Sequence, residues 1–185
     1  MSTNISEAIR TRKSIRAYQD KPVSADILAQ IVEAGQWPPN AGPFQITVIE
    51  NSDLRQKIND RTLSFMRAGE GFIKERASLP GYQPLYGAPV LILLSGPSGA
   101  PFNAVNTALA AENMLLEATG LGLGSCFLMS PCWILNEANN SDLLREACIT
   151  EGNTVHCAII IGYPAAENKF TTAERAKKGQ VNYVK

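Results

Sequence analysis

The sequence predicts an α+β fold in which a mixed β-sheet carries helices on both faces, as a three-layer α/β/α arrangement. Segments with helical and strand periodicity alternate along the 185 residues, and no Ser/Gly-rich or charged linker separates the two halves. Residues 88–94 form a continuous apolar run of strand length, which indicates a strand buried on both faces. The chain is 45% hydrophobic, and a chain of this length buries about 70% of its unfolded surface. We therefore expect residues 1–185 to form a single domain.

The first third of the chain predicts two helices separated by extended chain. Ile5 and Ile9 lie four residues apart and predict a short first helix, whereas residues 13–22 lack helical periodicity and are expected to be extended. Ser24 is suited to be the N-cap of a second helix. The apolar stripe of that helix consists of Ile27, Leu28, Ile31 and Val32. Two prolines followed by Asn40 then predict a rigid loop.

The middle of the chain predicts a strand, a helix and a long connection. Residues 44–50 are rich in β-forming residues and alternate, so they predict a strand. Ser52 begins a helix that should run to about Arg67. Residues 68–87 show little periodicity, and a connection of that length is often functional.

The second half contains the strongest helix prediction. Residues 103–120 are apolar on nearly all sides of the helix, as expected of a helix buried inside a domain or between subunits. Gly120 is a natural cap for its C-terminus. The remaining elements are an extended segment (121–130), a short amphipathic helix (139–149) and a final core strand (154–164) before a polar tail.

Composition excludes several classes of function. Lys+Arg and Asp+Glu balance at 17 each, which disfavours general nucleic-acid binding. The N-terminus does not resemble a signal peptide and no stretch is long and apolar enough to cross a bilayer, so we expect a cytoplasmic protein with no membrane partner. Four cysteines without CxxC spacing and a single histidine are a poor set of metal ligands.

The side chains also lack a convincing nucleophile and base. His156 is the only histidine and lies in an apolar strand, where a structural role is the favoured interpretation. Cys157 should point to the opposite face of that strand, although a hydrolase using Cys157 or Cys126 stays open as a minor alternative. The glycines of residues 120–125 follow a helix, whereas a dinucleotide-binding motif opens one. These exclusions favour a bound cofactor that brings its own chemistry.

A cluster of cations near the N-terminus indicates an anion site. Four positive side chains stand within seven residues of a chain with zero formal net charge: Arg10, Arg12, Lys13 and Arg16. A solvated helix end is the alternative explanation of this charge run, and charge alone does not separate the two.

Five stretches in order resemble the flavin (FMN)-dependent nitroreductase family and together cover nearly the whole chain. They are Arg12-Lys13-Ser14-Ile15-Arg16-Ala17-Tyr18, the loop 37–45, the Ala88-Pro89 strand entry, the helix and glycine turn 106–128, and Gly162-Tyr163-Pro164. The loop is shorter than its counterpart in the family. Gly81, Tyr82 and Gln83 stand where the family has further contacts, and the resemblance assigns them no role.

The resemblance implies an FMN-dependent NAD(P)H oxidoreductase. FMN would bind noncovalently at a homodimer interface, with each site built from both subunits. NADH or NADPH would give hydride to flavin N5 and leave, after which a nitroaromatic, quinone or similar acceptor would take the electrons. No side chain would be catalytic, because flavin N5 carries the chemistry. A flavin-binding carrier or sensor without turnover is the alternative that the same motifs would serve.

The resemblance also implies which residues bind FMN. Arg12 and Ser14 would hold phosphate and ribityl oxygens with help from Lys13, and Arg16 would reach the ribityl chain and the pyrimidine edge. Alternation along extended chain would put Arg12, Ser14 and Arg16 on one face. The backbone of four residues would lie against the ring near N5: Phe127, Leu128, Met129 and Ser130.

Two further segments would complete that site. Pro38, Pro39 and Asn40 would contact the flavin of the other subunit, unless they form only a rigid surface turn. Arg175 and Lys177 would bind phosphate, with Lys178 as a substitute, unless the tail is merely solvated.

Overall fold

The computed structural model describes residues 4–166, 170 and 176–185. Its strands form one sheet in the order β1-β2-β4-β3, and every neighbouring pair is antiparallel. The strands are β1 (Gln45–Ile49), β2 (Val90–Pro97), β3 (Gly124–Leu128) and β4 (Asn153–Gly162). The α+β prediction is confirmed, and the parallel part of the predicted mixed sheet is a single bridge between Ser14 and Ser125.

Helices cover both faces of the sheet. One layer contains α1 (Ile5–Thr11), α2 (Ala25–Gln36) and α5 (Asn103–Gly120). The other contains α3 (Ser52–Ala68), α4 (Gly71–Ala77), α6 (Ser130–Leu135) and α7 (Ser141–Glu146), with a 3₁₀ turn at Ala138–Asn140. Within these layers α1 and α2 pack on α5, and α4, α6 and α7 pack on α3.

Strand β2 lies at the centre of both hydrophobic cores, as its continuous apolar run predicts. Val90, Ile92 and Leu94 face the core beneath α2 and α5. Leu91 and Leu93 face the core beneath α3, α6 and α7. A strand buried on both faces cannot carry polar alternation, because either face would then bury unpaired polar groups.

Helix α5 has apolar side chains on two sides, of which one is buried and the other is exposed. One side packs on the sheet through Ala110, Ala111, Met114, Leu115 and Ala118. The outer side is exposed, with Val105 at 56% and Leu109 at 43% of full exposure. We call this surface, defined by the exposed residues Ile5, Ile9, Phe102, Val105 and Leu109, the α1–α5 face.

Two short helices differ from the prediction. Residues 68–87 were expected to be a connection but contain α4, and residues 121–130 were expected to be extended but lead into α6. Helices of six or seven residues show too little of a helical period to stand out in a sequence. The left-handed residue after α5 is Gly122, with φ +77°, and Gly120 remains helical.

The N-terminal extended segment lies against the sheet at a point where only glycine fits. Ile15 N–H donates to Ser125 O at 2.9 Å, which brings residues 12–18 beside β3. A Cβ on Gly124 would stand 2.9 Å from Cγ2 and 3.0 Å from Cβ of Ile15. Because a Cβ atom cannot rotate out of the way, a side chain here would push the segment off the sheet.

Gly124→Ala is therefore expected to lower the free energy of unfolding by about 1–3 kcal/mol, the usual cost of overpacking. Urea unfolding followed by circular dichroism measures it. Gly120→Ala is the matched control, because its added Cβ meets no atom within 4 Å. Replacing a glycine that has such free space with alanine raises the free energy of unfolding by up to about 1 kcal/mol. Equal effects of the two substitutions would contradict the close approach.

The sole histidine occupies a β-bulge. Leu94 pairs with Cys157 and Ser95 with Val155, which leaves His156 as the extra residue of β4. Its Nε2 is buried and has no hydrogen-bond partner among the described residues. Burial lowers the pKa of His156. Its position in a core strand agrees with the structural role favoured by the sequence.

The stability of the protein should consequently fall on mild acidification. The unfolded chain, with a histidine pKa of about 6.5, binds this proton more readily than the folded chain, so protonation favours unfolding below that pH. The urea midpoint should drop between pH 7.5 and pH 5.5, and His156→Gln should remove most of that difference. Identical pH profiles for the two proteins would show that His156 does not cause the effect.

Candidate functional site

The segment 12–16 alternates as the sequence predicts. Lys13 points to solvent, and Ile15 is buried against Gly124. Arg12 and Arg16 are partly buried, as is Ser14 between them. One face of the segment therefore carries two guanidinium groups and a hydroxyl.

The three side chains lie along the edge strand β3. A bridge joins Ser14 to Ser125, and the Ile15 N–H bond to Ser125 O holds the segment beside the strand, next to the buried Cys126. Burial raises the pKa of Cys126, while Arg16, a hydrogen bond with Ser14, and Arg12 act in the opposite direction. We call this positive site beside β3 the Arg12–Ser14–Arg16 cluster.

The direction of Arg12 is set by the end of α1. Its backbone N–H donates to Ala8 O at 2.8 Å, which makes Arg12 the C-cap of the helix. Its side chain is only 14% exposed, and its Nε lies 3.4 Å from Oε1 of Glu112 on α5. Arg12 therefore lies where α1 ends against α5, with Glu112 as its ion-pair partner.

Arg16 borders a cavity of about 360 Å³ that the sequence did not reveal. Its Nη1 donates to Phe170 O at 3.1 Å, and its guanidinium carbon lies 6.0 Å from the ring centroid of Tyr86. The cavity is lined by Arg16, Ala17, Tyr18, Gly81, Gln83, Tyr86, Gly87 and Phe170. Tyr86 has φ +51°, an unfavourable conformation for a residue with a side chain. Strain of this kind is often concentrated at functional sites.

The stretch Gly81–Gly87 was the part of the sequence with no assigned role. The sequence feature that could have marked this stretch is its pair of glycines, Gly81 and Gly87. Both adopt positive φ in the structure. Its position beside Arg16 follows from the aromatic packing of Tyr82 and Tyr86 against Phe170, which is distant in sequence.

Residues 127–130 continue from Cys126 at the same end of the sheet. Phe127 and Met129 are exposed, Leu128 is buried, and Ser130 begins α6. Phe127 and Leu128 are the last two residues of β3, the strand that the N-terminal segment flanks through Ser14. That these four residues contact a flavin ring stays a prediction.

The proline loop, residues 37–45, is anchored on helix α5. Pro39 and Asn40 are exposed, and Pro38 is half-buried. Ala41 N–H donates to Oδ1 of the buried Asn106 at 3.3 Å, which anchors the loop on α5. The contact of Pro38, Pro39 and Asn40 with the flavin of another subunit stays a prediction.

The predicted C-terminal phosphate ligands are described only in part. Lys177 and Lys178 are exposed in irregular chain. Arg175 lies outside the described residues.

Other chemistries find no support in the described part of the chain. Burial raises the pKa of Cys157 to about 11, and its thiol donates to Thr107 O at 3.6 Å. With Cys126 also buried and its pKa raised, neither thiol is suited to be a nucleophile. Among these residues no group of His, Cys, Asp and Glu could hold a metal ion. None of the described helices has the length and hydropathy needed to span a membrane.

Comparison with known proteins identifies the family. The model of the nitroreductase family matches residues 9–163, which include the Arg12–Ser14–Arg16 cluster and the whole sheet. This chain belongs to the nitroreductase family. It is 29% identical over 176 residues to a protein of Methanothermobacter thermautotrophicus named as an NADH dehydrogenase/NAD(P)H nitroreductase, covering 91% of this chain and 81% of that one.

Solved nitroreductases share the fold over the full chain. A nitroreductase from Bacteroides fragilis, crystallised with bound FMN, has a TM-score of 0.86 at 26% identity over 100% of both chains. A second FMN-bound nitroreductase, from Desulfitobacterium hafniense, has a TM-score of 0.88 at 20% identity over 100% of both chains. These matches confirm the predicted nitroreductase-like fold.

Proposed function

We propose that this nitroreductase-family chain is an FMN-dependent NAD(P)H oxidoreductase that passes electrons to a nitroaromatic, quinone or similar small acceptor. The observation that carries the proposal is that the segment with the partly buried Arg12, Ser14 and Arg16 lies along the edge strand β3, bridged to it through Ser14 and Ser125. The same family includes the Bacteroides fragilis nitroreductase, which was crystallised with FMN.

The donors of the cluster fit the anionic end of FMN. A phosphomonoester carries about −1.5 to −2 charges near neutral pH. Arginine offers paired N–H groups that match phosphate oxygens, and a hydroxyl adds a further donor. Arg12 and Ser14 would hold the phosphate and ribityl oxygens, with Lys13 beside them. Lys177 and Arg175 would add phosphate contacts from the tail.

Arg16 and residues 127–130 would shape the environment of the ring. When bound, FMN would supply hydride transfer from NADH or NADPH and electron transfer to the acceptor, in two successive steps. Arg16 would place a fixed positive charge near the pyrimidine edge, where negative charge develops on reduction. The backbone of residues 127–130 would support the ring near N5, which leaves their side-chain types free to vary.

A homodimer would complete each site. The α1–α5 face presents a set of exposed apolar side chains on adjacent helices, and extensive hydrophobic interfaces are typical of obligate homodimers. Pro38, Pro39 and Asn40 would then reach the flavin of the partner subunit. Cytoplasmic localisation belongs to the same proposal.

An absorbance spectrum of the purified protein, before and after addition of FMN, tests cofactor binding. Anaerobic stopped-flow mixing with NADH, and separately with NADPH, tests turnover through loss of the flavin absorbance. Rapid bleaching followed by reoxidation with a quinone is the expected result. A protein that takes up no FMN would overturn the proposal, and uptake without bleaching would indicate a flavin carrier or sensor.

A further inference from the structure

We infer that Asn59 of α3 is a positioning residue that orients the amide of Gln83, so that its NH₂ group serves the ligand beside Arg16. The inference rests on the proposed function, because that function supplies the ligand, a planar ring that carries carbonyl or nitro oxygens. It is carried by two hydrogen bonds of the buried Asn59 amide, one with Leu85 and one with Gln83.

Asn59 is a polar residue that is only 5% exposed. Burying an amide costs free energy unless its groups are paired. Its Oδ1 accepts from the backbone N–H of Leu85 at 3.2 Å. Its Nδ2 donates to Oε1 of Gln83 and, at 3.2 Å, to Oδ1 of Asp60. The oxygen and both N–H groups of this amide are therefore engaged.

One backbone group sets the direction of both amides. The N–H of Leu85 can only donate, so the Asn59 atom that faces it must be the oxygen. The nitrogen of Asn59 then faces Gln83, and the Gln83 atom that receives its N–H must be Oε1. Gln83 is exposed, and its NH₂ group is the half of the amide that remains for a ligand or for water.

Gln83 lines two neighbouring cavities. One of them, of about 320 Å³, is also lined by Asn59, and the other is the cavity of about 360 Å³ beside Arg16. Gly87 lines both as well, so these two residues form part of a common wall. An NH₂ group in this wall and the guanidinium of Arg16 are both hydrogen-bond donors, which suit the oxygens of a ring. The flavin ring and a quinone or nitroaromatic acceptor all carry such oxygens.

Asn59→Asp tests the inference, because it removes the donor of this side chain and keeps its oxygen. The new carboxylate still accepts from the Leu85 N–H, so the backbone contact is retained. It cannot donate to Gln83, whose amide should rotate to donate its NH₂ to the carboxylate. The cavity would then meet a carbonyl oxygen where the wild type offers an NH₂ group.

Two constants are measured for each variant at pH 8, which favours the ionised carboxylate: the dissociation constant of FMN, by fluorescence quenching, and KM for a quinone. Asn59→Asp should raise at least one of them by about tenfold, because a hydrogen bond to the ring is replaced by two opposed oxygens. A raised FMN constant would mean that the flavin ring contacts Gln83. A change confined to KM would mean that the acceptor does, and either result supports the positioning role.

Gln83→Leu shows whether Asn59 acts through this amide. Alone it should raise the same constant by about three- to tenfold, which keeps the inference testable even if Asn59→Asp does not fold. In the Gln83→Leu background, Asn59→Asp should change neither constant by more than about twofold, since the group it reorients is gone.

Thr62→Val is the matched control on the same helix. Thr62 is also buried, and its hydroxyl donates to Ile58 O within α3, so the substitution removes an internal hydrogen bond and should leave both constants unchanged. If Asn59→Asp behaves like Thr62→Val, if Gln83→Leu changes neither constant, or if Asn59→Asp acts equally with and without Gln83, the positioning role is overturned. Failure of the wild type to bind FMN would instead overturn the proposed function, and this inference with it.

Discussion

Replacing Arg12 with alanine is expected to lower the affinity for FMN by about 100- to 10,000-fold and to give a colourless purified protein. Each charge-assisted hydrogen bond contributes about 1.5–3 kcal/mol, and a bidentate pair with phosphate would lose two of them. Every 1.4 kcal/mol corresponds to about a tenfold change in affinity. Fluorescence titration of the apoprotein with FMN measures the dissociation constant, and flavin absorbance per protein measures retention.

Arg10→Ala is the control for the loss of one positive charge. Arg10 stands two residues upstream, is exposed, and its Nε donates to Ser6 O at 2.9 Å within α1. Its loss should change FMN affinity by no more than a few-fold, because a solvated charge acts only through screened long-range attraction. If the two substitutions weaken FMN equally, the cluster attracts the phosphate only by general charge and the assignment of Arg12 fails.

Replacing Leu109 with glutamate is expected to split the proposed homodimer and release FMN in one step. Leu109 lies one helical turn from Val105 on the α1–α5 face, where both side chains are exposed in the single chain. An unpaired carboxylate buried in an apolar interface costs several kcal/mol, and a symmetric homodimer would bury two of them. Multi-angle light scattering gives the mass, and the absorbance spectrum gives the flavin content of the same fraction.

Phe72→Glu provides the matched charge on an exposed apolar residue of the opposite helical layer. It should leave both mass and flavin content unchanged. A Leu109→Glu protein that stays dimeric would move the interface away from the α1–α5 face. A monomer that keeps its full complement of FMN would show that Pro38, Pro39 and Asn40 of the partner are not needed for binding.

The residues nearest to each other in sequence were the ones that sequence analysis placed correctly. Arg12, Ser14 and Arg16 share a face because extended chain alternates, and Ile15 is buried between them for the same reason. The burial of β2 on both faces was equally predictable from its apolar run. Local periodicity encodes which residues share a face and which strand is buried, independently of the rest of the chain.

The errors fall where local signals are short. Helix α4 begins at Gly71 in the left-handed region, and α6 has a proline at its start and only six residues. Both are held by packing against α3 rather than by their own propensity. The conformation of Tyr86 also depends on tertiary packing, since its positive φ is sustained by contacts with Tyr82, Phe170 and Arg76.

The sequence alone determined the order of the strands and the long helices, the doubly buried central strand, the family and the positive segment at the N-terminus. Only the tertiary structure decided what surrounds each of those charges. Arg12 meets Glu112 across the packing of α1 on α5, and Arg16 meets Phe170 across a separation of 154 residues. Such pairs depend on how the whole sheet and its helices pack, and no periodicity within either segment encodes them.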